Sequence, residues 1–539
     1  MNNNTGFNMN GKERSLRNRR LYRAVLIAIV LAVGMWFTVR FIYAAGTLMS
    51  EMRKITSVMS LISKAYVEEP DLSRLSEGAI EGMLKRLDPH SMYIPPKEQE
   101  KIKERDIGEF EGIGISFVIQ NELITVIAPI TGTPAERLGI RSGDRIVEID
   151  GISAYGITNE EVFKKLRGPK GTTVKVKVSR EGVPELIDFT IVRDKIPIHS
   201  VWTSFMLDDS TGYVMLNQFT ATTTDELHDV LDELEASGMK RLIFDLRNNQ
   251  GGRLSQAVSV ADMFIPGGHV IVSRVGRAEQ GDSTYYSTDL ATRDMFDLIV
   301  LINGGSASAS EIVAGAIQDL ARGMIVGSRS FGKGLVQHPY KLKDGGVIRL
   351  STAHWFTPSG RLVQRPYDKG RGEYYAVRYR DPDELTVEGE REAFNTLSGR
   401  TVYASAGIDP DVEIEDRKIT GATARLLSER IIFEFAQAEM LPGFKAEGDE
   451  FEILRRGFEV TDDDLTKLLE FSKEKGFEYP AELLDKDREY LKSQIKAEMA
   501  QLIWSNRDYY YFIRVESDST VIEARRLFNR AREVSAVWR

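Results

Sequence analysis

Leu298-Ile299-Val300-Leu301-Ile302-Asn303-Gly304-Gly305-Ser306-Ala307-Ser308-Ala309-Ser310-Glu311 is the stretch that decides how this chain folds. The first five residues form a wholly apolar run, which reads as a buried strand. Small residues come next and let the backbone turn sharply. Ile312 to Leu320 then reads as a helix. A strand, a tight turn and a helix in this order present one hydroxyl at the turn, with helix amides close by to hold an oxyanion. Further on, Phe331-Gly332-Lys333-Gly334-Leu335-Val336-Gln337 supplies a lysine beside an apolar segment. A lysine can act as the base for a serine nucleophile. From the turn alone Ser306, Ser308 and Ser310 remain rival nucleophiles.

Outward from this centre the pattern extends in both directions. Leu242-Ile243-Phe244-Asp245-Leu246 reads as a second buried strand, leading into Arg247-Asn248-Asn249-Gln250-Gly251-Gly252 and then a helix over residues 254–264. A Gly-Gly loop between strand and helix can aim backbone amides at developing negative charge. Each glycine taken alone could equally serve a packing turn. Strands alternating with helices over residues 196–411 predict an α/β core. Residues 108–193 differ. Short alternating strands cover 114–118, 123–127, 145–149 and 174–178, with Thr133 to Gly139 as a short helix and Thr158 to Leu166 as a longer one.

These residues resemble a known family. The run Ser306 to Glu311, a lysine 25 positions after Ser308 and a glutamine four positions after that lysine are similar to the C-terminal processing peptidases, also called tail-specific proteases. The resemblance runs from about Ser57 to Asp411. It implies Ser308 as nucleophile, Lys333 as general base and Gln337 as the residue that orients the lysine. It places the oxyanion hole at the amides of Ala309 and of Gly251 or Gly252, within a crotonase-like α/β protease core. The family usually has proline where this chain has Gln250, which bears on the stiffness of that loop. The strand over 347–355 and the loop after it also match. Residues 104–195 resemble a PDZ domain, which binds a peptide tail as an added strand. Gly112, Ile113, Gly114 and Ile115 fall at its carboxylate-binding loop. The implied function is a serine endopeptidase that cleaves exported proteins at or near apolar C-termini, without metal or organic cofactor. The alternatives are an inactive PDZ scaffold tethered to a membrane, or an assembly protein acting through its C-terminal helices.

The chemistry of a lysine base sets a requirement. A free lysine has a pKa near 10.4, so acting at pH 7 needs a fall of about three pH units, roughly 4 kcal/mol against the ammonium. Burial beside Leu335 and Val336 can supply it. Gln337 is neutral and can orient the amine without favouring its charged form. A Ser-His-Asp triad using His269, His338 or His354 is the competing arrangement. His338 alternates to the strand face opposite Gln337.

Composition limits the partners. The 539 residues carry a formal net charge of −9, 42% hydrophobic residues and no cysteine. The first two read as a folded multidomain protein for which nucleic acid is not the main partner. The third excludes disulfides and cysteine catalysis. Residues 1–23 are a basic tail, with Lys12, Arg14, Arg17, Arg19, Arg20 and Arg23 against Glu13. Residues 24–45 are apolar apart from Arg40 and long enough for a transmembrane anchor, which needs about 17–25 residues. A cleaved signal peptide is the other reading. Either way the remainder is expected outside the cytoplasm, on the periplasmic side of a bacterial inner membrane. Residues 48–103 read as a helical region ending in Leu87-Asp88-Pro89-His90-Ser91-Met92-Tyr93, with His90 as a turn or packing residue. The resemblance implies that this region forms dimers. Residues 412–539 read as a helical extension, with Tyr509-Tyr510-Tyr511-Phe512 as core aromatics.

Overall fold

A computed structural model describes residues 48–277, 282–290, 293, 295–376, 391–404, 406–444 and 450–539. Two units are separable, residues 1–86 and 87–539. In the first, helices cover 48–65 and Leu72–Leu84. Asp71 starts the second helix by accepting hydrogen bonds from the amides of Ser73 and Arg74, which satisfies two of the donors a helix N-terminus leaves free.

The second unit is built on a six-stranded sheet. Its strands are β1 (Val201–Met206), β2 (Thr211–Leu216), β3 (Arg241–Asp245), β4 (Asp297–Ile302), β5 (Met324–Gly327) and β6 (Val412–Glu413), adjacent in that order. Only the β1–β2 pair is antiparallel. All six residues of β4 are buried because both faces are covered. Leu298, Val300 and Ile302 face helices α1 (Thr223–Ala236), α2 (Leu254–Asp262) and α3 (Ala309–Asp319). Ile299 and Leu301 face the opposite way, onto Val515, Val521, Phe528 and Ala531. A strand covered on both sides reads as a continuous apolar run rather than an alternating one.

The C-terminal extension is thus the third layer, covering the second face of the central sheet. Polar contacts pin it there: Arg532 pairs with Asp297 at 2.7 Å, Arg525 with Asp208 at 2.8 Å, and the Trp538 indole donates to the Leu320 carbonyl at 2.8 Å. The rest of the extension forms its own helical core around Leu465, Leu491, Ile495 and Met499. Phe512 packs on Phe205, and Tyr509 lies 4.1 Å from Phe451, ring centre to ring centre.

Residues 115–192 form a separate sheet around Ile124, Val126, Ile146, Val174 and Val178. Within the described residues its Ile115–Gln120 strand pairs only with Leu123–Pro129, so one edge is open. The Asn159–Leu166 helix flanks it, with Phe163 against Phe117. Gly114 has a φ of +85°, and a Cβ there would lie 2.3 Å from Thr133. Only glycine fits that turn. Ser142 ties this sheet to the C-terminal helices: its amide donates to Ser505 Oγ at 3.0 Å and its hydroxyl accepts from Gln501 at 3.1 Å.

The membrane placement expected from the sequence is corrected. Among the described residues no helix is long and apolar enough to cross a membrane. The 24–45 segment on which the single-pass inner-membrane expectation rested lies outside the described residues.

Candidate active site

Three loops leave the C-terminal ends of the neighbouring parallel strands β3, β4 and β5 and meet at one point. Ligand sites in open parallel sheets lie at such strand ends. The β3 loop carries Asn249 to Gly252, the β4 loop carries Ser306 to Ser308, and the β5 loop leads to Lys333.

Ser308 sits at the turn into α3 with φ 57° and ψ −110°. A non-glycine residue there is strained, and such strain collects at functional turns. It is half-buried, whereas Ser306 and Ser310 are fully enclosed. Their hydroxyls are also committed: Ser306 Oγ donates to the Leu246 carbonyl and Ser310 Oγ to the Asn249 carbonyl, both at 2.8 Å. The two rivals therefore clamp the β3 loop against the elbow and leave Ser308 as the accessible hydroxyl.

Gly251 touches this elbow. A Cβ on it would fall 2.6 Å from the Ala307 carbonyl oxygen and 2.9 Å from Ser308 Cβ. Its own N–H is already donated to Asn249 Oδ1 at 2.9 Å. Gly252 lies against the Phe219 carbonyl, where a Cβ would approach to 2.1 Å. Both positions thus exclude any side chain, and they differ in what their amides are doing.

Glu311 joins the elbow to the β5 loop. It is fully buried and accepts from the Ser308 amide at 2.8 Å, the Lys333 amide at 2.9 Å, the Gly332 amide at 2.6 Å and the Ser330 hydroxyl at 2.6 Å. Burial pushes its pKa up, and these four donors oppose that rise. The sequence reading gave Glu311 no role. Its signal was present in the Ser-x-x-Glu spacing of a capping box.

Lys333 is half-buried, and its Nζ donates to Gln337 Oε1 at 3.2 Å. Loss of hydration lowers its pKa to about 8, with Arg349 adding to the fall and Glu311 and Asp88 opposing it. The lysine bonds to Gln337 rather than to Ser308; catalytic contacts often tighten only once substrate is bound. The Trp355 indole holds the Lys333 carbonyl at 2.9 Å. Gln337 Nε2 in turn donates to the His90 carbonyl at 2.7 Å. His90 is buried in its turn, and the fold carries its carbonyl to Gln337, the partner of Lys333. Of the histidines in the competing arrangement, His269 packs against Trp538 and His338 against Tyr340, while the buried His354 Nδ1 has no hydrogen-bond partner among the described residues. Among the described residues no cluster of His, Asp or Glu is arranged to hold a metal ion.

A serine elbow, a desolvated lysine and an attached strand-binding sheet define a serine-type peptidase carrying a PDZ domain. The comparisons agree. Residues 210–368 match peptidase family S41, 125–180 a PDZ domain, 42–98 the N-terminal domain of the activating protease CtpB, and 423–505 a family of unknown function. The chain is 40% identical over 319 residues to a carboxy-terminal-processing protease of Bartonella bacilliformis, covering 58% of this chain and 73% of that one. It is 33% identical to the carboxy-terminal processing protease CtpA of Bacillus subtilis, covering 64% and 75%. The solved photosystem II D1 C-terminal processing protease is 26% identical, covering 67% of this chain and 92% of that one, with a TM-score of 0.35. This chain belongs to the carboxy-terminal processing protease family.

Proposed function

We propose that the chain cleaves unfolded proteins near an apolar C-terminus, with Ser308 as nucleophile and Lys333 as general base. The observation that carries this reading is the elbow: Ser308 is its accessible hydroxyl, and one buried carboxylate, Glu311, holds both its amide and that of Lys333. Neutral Lys333 takes the proton from Ser308 Oγ as the oxygen bonds to the substrate carbonyl carbon. The carbonyl oxygen becomes an oxyanion, stabilised by the amides of Ala309 and Gly252. The Gly251 amide, already given to Asn249, is the weaker of the two glycine candidates. The Lys333 ammonium then protonates the departing amine as the C–N bond breaks; water, losing a proton to the same lysine, adds to the acyl carbon, and the ammonium returns that proton to Ser308 Oγ as the ester bond breaks. Gln337 keeps the amine aimed without adding charge.

The tail of the substrate adds as a strand along the open edge of Ile115–Gln120, beside the Asn159–Leu166 helix. The amides of Gly112, Ile113, Gly114 and Ile115 receive its terminal carboxylate. The test is cleavage of an unfolded protein ending in apolar residues against the same protein ending in two aspartates. The apolar tail is expected to be cut with a KM at least about tenfold lower, a difference of about 1.4 kcal/mol. Equal KM values would remove the PDZ region from substrate selection.

The pH profile is set by Lys333. The base works only when neutral, and its pKa lies at about 8. Activity is therefore expected to rise with pH through about 8 and level off above it, with about a tenth of the plateau rate at pH 7. A kcat profile flat from pH 6 to 9 would refute a lysine base.

A further inference from the structure

The hydrogen bond from Gln337 to the His90 carbonyl is one link of a closed circuit. Lys333 donates to Gln337, Gln337 donates to the His90 carbonyl, and His90 Nε2 meets the Tyr374 hydroxyl at 2.8 Å. Gln364 Nε2 donates to that hydroxyl at 3.2 Å, and Gln364 Oε1 accepts from the Gly334 amide at 2.8 Å, one residue from the starting lysine. The donors assign the proton positions. The Tyr374 oxygen already accepts from Gln364, so its own proton goes to His90 Nε2. That leaves the imidazole proton on Nδ1, facing the Tyr375 hydroxyl at 3.4 Å, which itself donates to the Pro89 carbonyl at 3.0 Å. The Tyr374, His90 and Tyr375 protons then each meet an acceptor with His90 neutral. A second imidazole proton would meet an oxygen that offers a proton in return. Burial, with Lys333 nearby, accordingly lowers the His90 pKa to about 3.

The turn that carries His90 is itself fastened. Asp88 Oδ1 accepts from the His90 amide at 2.7 Å, the Ser91 amide at 2.8 Å and the Ser351 hydroxyl at 3.1 Å. Arg371 donates twice to the Pro89 carbonyl, at 3.0 and 2.6 Å. The adjoining Met92–Ile94 strand pairs with Val347 to Arg349. Together these contacts fasten the turn whose His90 carbonyl receives the Gln337 amide.

Taking Lys333 as the general base, we infer that the Asp88–Ser91 turn is a positioning element for it. Locked by Tyr374, the turn presents the His90 carbonyl to Gln337 and holds the lysine amine in a poorly hydrated place. The charged groups around that amine are Glu311 from α3, Asp88 from the turn and Arg349 from the Val347–Phe356 strand, with Arg371 facing His90. His90 and Tyr374 are both neutral near pH 8, so replacing either leaves the local charge as it is. A change in the lysine's titration then reports its placement and hydration.

The experiment is the kcat–pH profile of the full chain carrying Tyr374→Phe or His90→Phe, beside the parent and Lys333→Ala. Tyr374→Phe keeps the ring and removes only the hydroxyl, His90→Phe puts a larger, apolar ring in the same place, and circular dichroism checks the fold of both. Water admitted to a loosened amine stabilises the ammonium, so the acid limb is expected to move up by about one pH unit. The rate at pH 7 then falls about tenfold, recovers above pH 9, and leaves KM within about twofold. A limb unmoved in both folded variants, with Lys333→Ala inactive, would overturn this inference alone. Activity surviving in Lys333→Ala would overturn the lysine base and this inference with it.

Discussion

Ser308→Ala is expected to lower kcat by about 10⁴-fold or more while the fold stays intact, since removing the nucleophile from a unit of this kind costs that much. The hydroxyl is a small, half-exposed group at the strained elbow, and alanine fills the same backbone position. The two neighbouring serines cannot substitute for it. Both are buried, and both spend their protons on carbonyls of the β3 loop. Lys333→Ala is expected to match the loss. Lys333→Arg should do no better, because a guanidinium stays protonated at any working pH and cannot accept the serine proton. Initial rates on an unfolded protein, with thermal unfolding as a check on folding, measure all three. Cleavage by folded Ser308→Ala at a tenth of the parent rate would sink the assignment. Ser306→Ala should instead act through structure, freeing the Leu246 carbonyl and loosening the loop that carries Gly251 and Gly252.

Ending the chain at Asp411 is expected to leave an insoluble core. The family resemblance seen in the sequence stops there, which invites the view that the C-terminal helices are an appendage. The packing says otherwise. Truncation removes β6 and uncovers Ile243, Ile299, Leu301, Met324 and Val326 on one face of the central sheet. Burying side chains of this size contributes about 1.5–3 kcal/mol each. Exposing five costs roughly 8–15 kcal/mol, as much as the whole stability of an ordinary domain. Asp297 also loses Arg532, its 2.7 Å partner, and becomes an unpaired carboxylate at the edge of the core. The soluble fraction on expression and the melting temperature of the shortened chain are the measurements. A soluble 1–411 chain that cleaves at the parent rate would show that the helices are dispensable. A milder probe is Phe528→Ala, for which about 3–5 kcal/mol is expected from the cavity it leaves.

What could be read from the chain was what local pattern encodes. The apolar run of β4, the small-residue turn and the helix after it are near neighbours in sequence, so their periodicity reports them directly. The same holds for the alternating strands of residues 115–192 and for the helical spacing of the extension. The resemblance to the C-terminal processing peptidases brought Ser308, Lys333 and Gln337 together as a hypothesis.

The tertiary structure decided what depends on residues far apart along the chain. Burial separated Ser308 from Ser306 and Ser310, which no alternation along a tight turn can do. Closing β3, β4 and β5 side by side brought Glu311 under the amides of Ser308 and Lys333 at once. A search for carboxylates near Lys333 in sequence, from Gly327 to Lys343, could not have found it. The partner of Gln337 lies 247 residues away, at His90. The continuous hydrophobicity of β4 announced a strand covered on both faces, but only folding showed that the second cover comes from the C-terminal helices. Hydrophobic periodicity records which side of an element is buried. It carries no record of which distant segment buries it, and hydrogen-bond partners exist only once the sheet has closed.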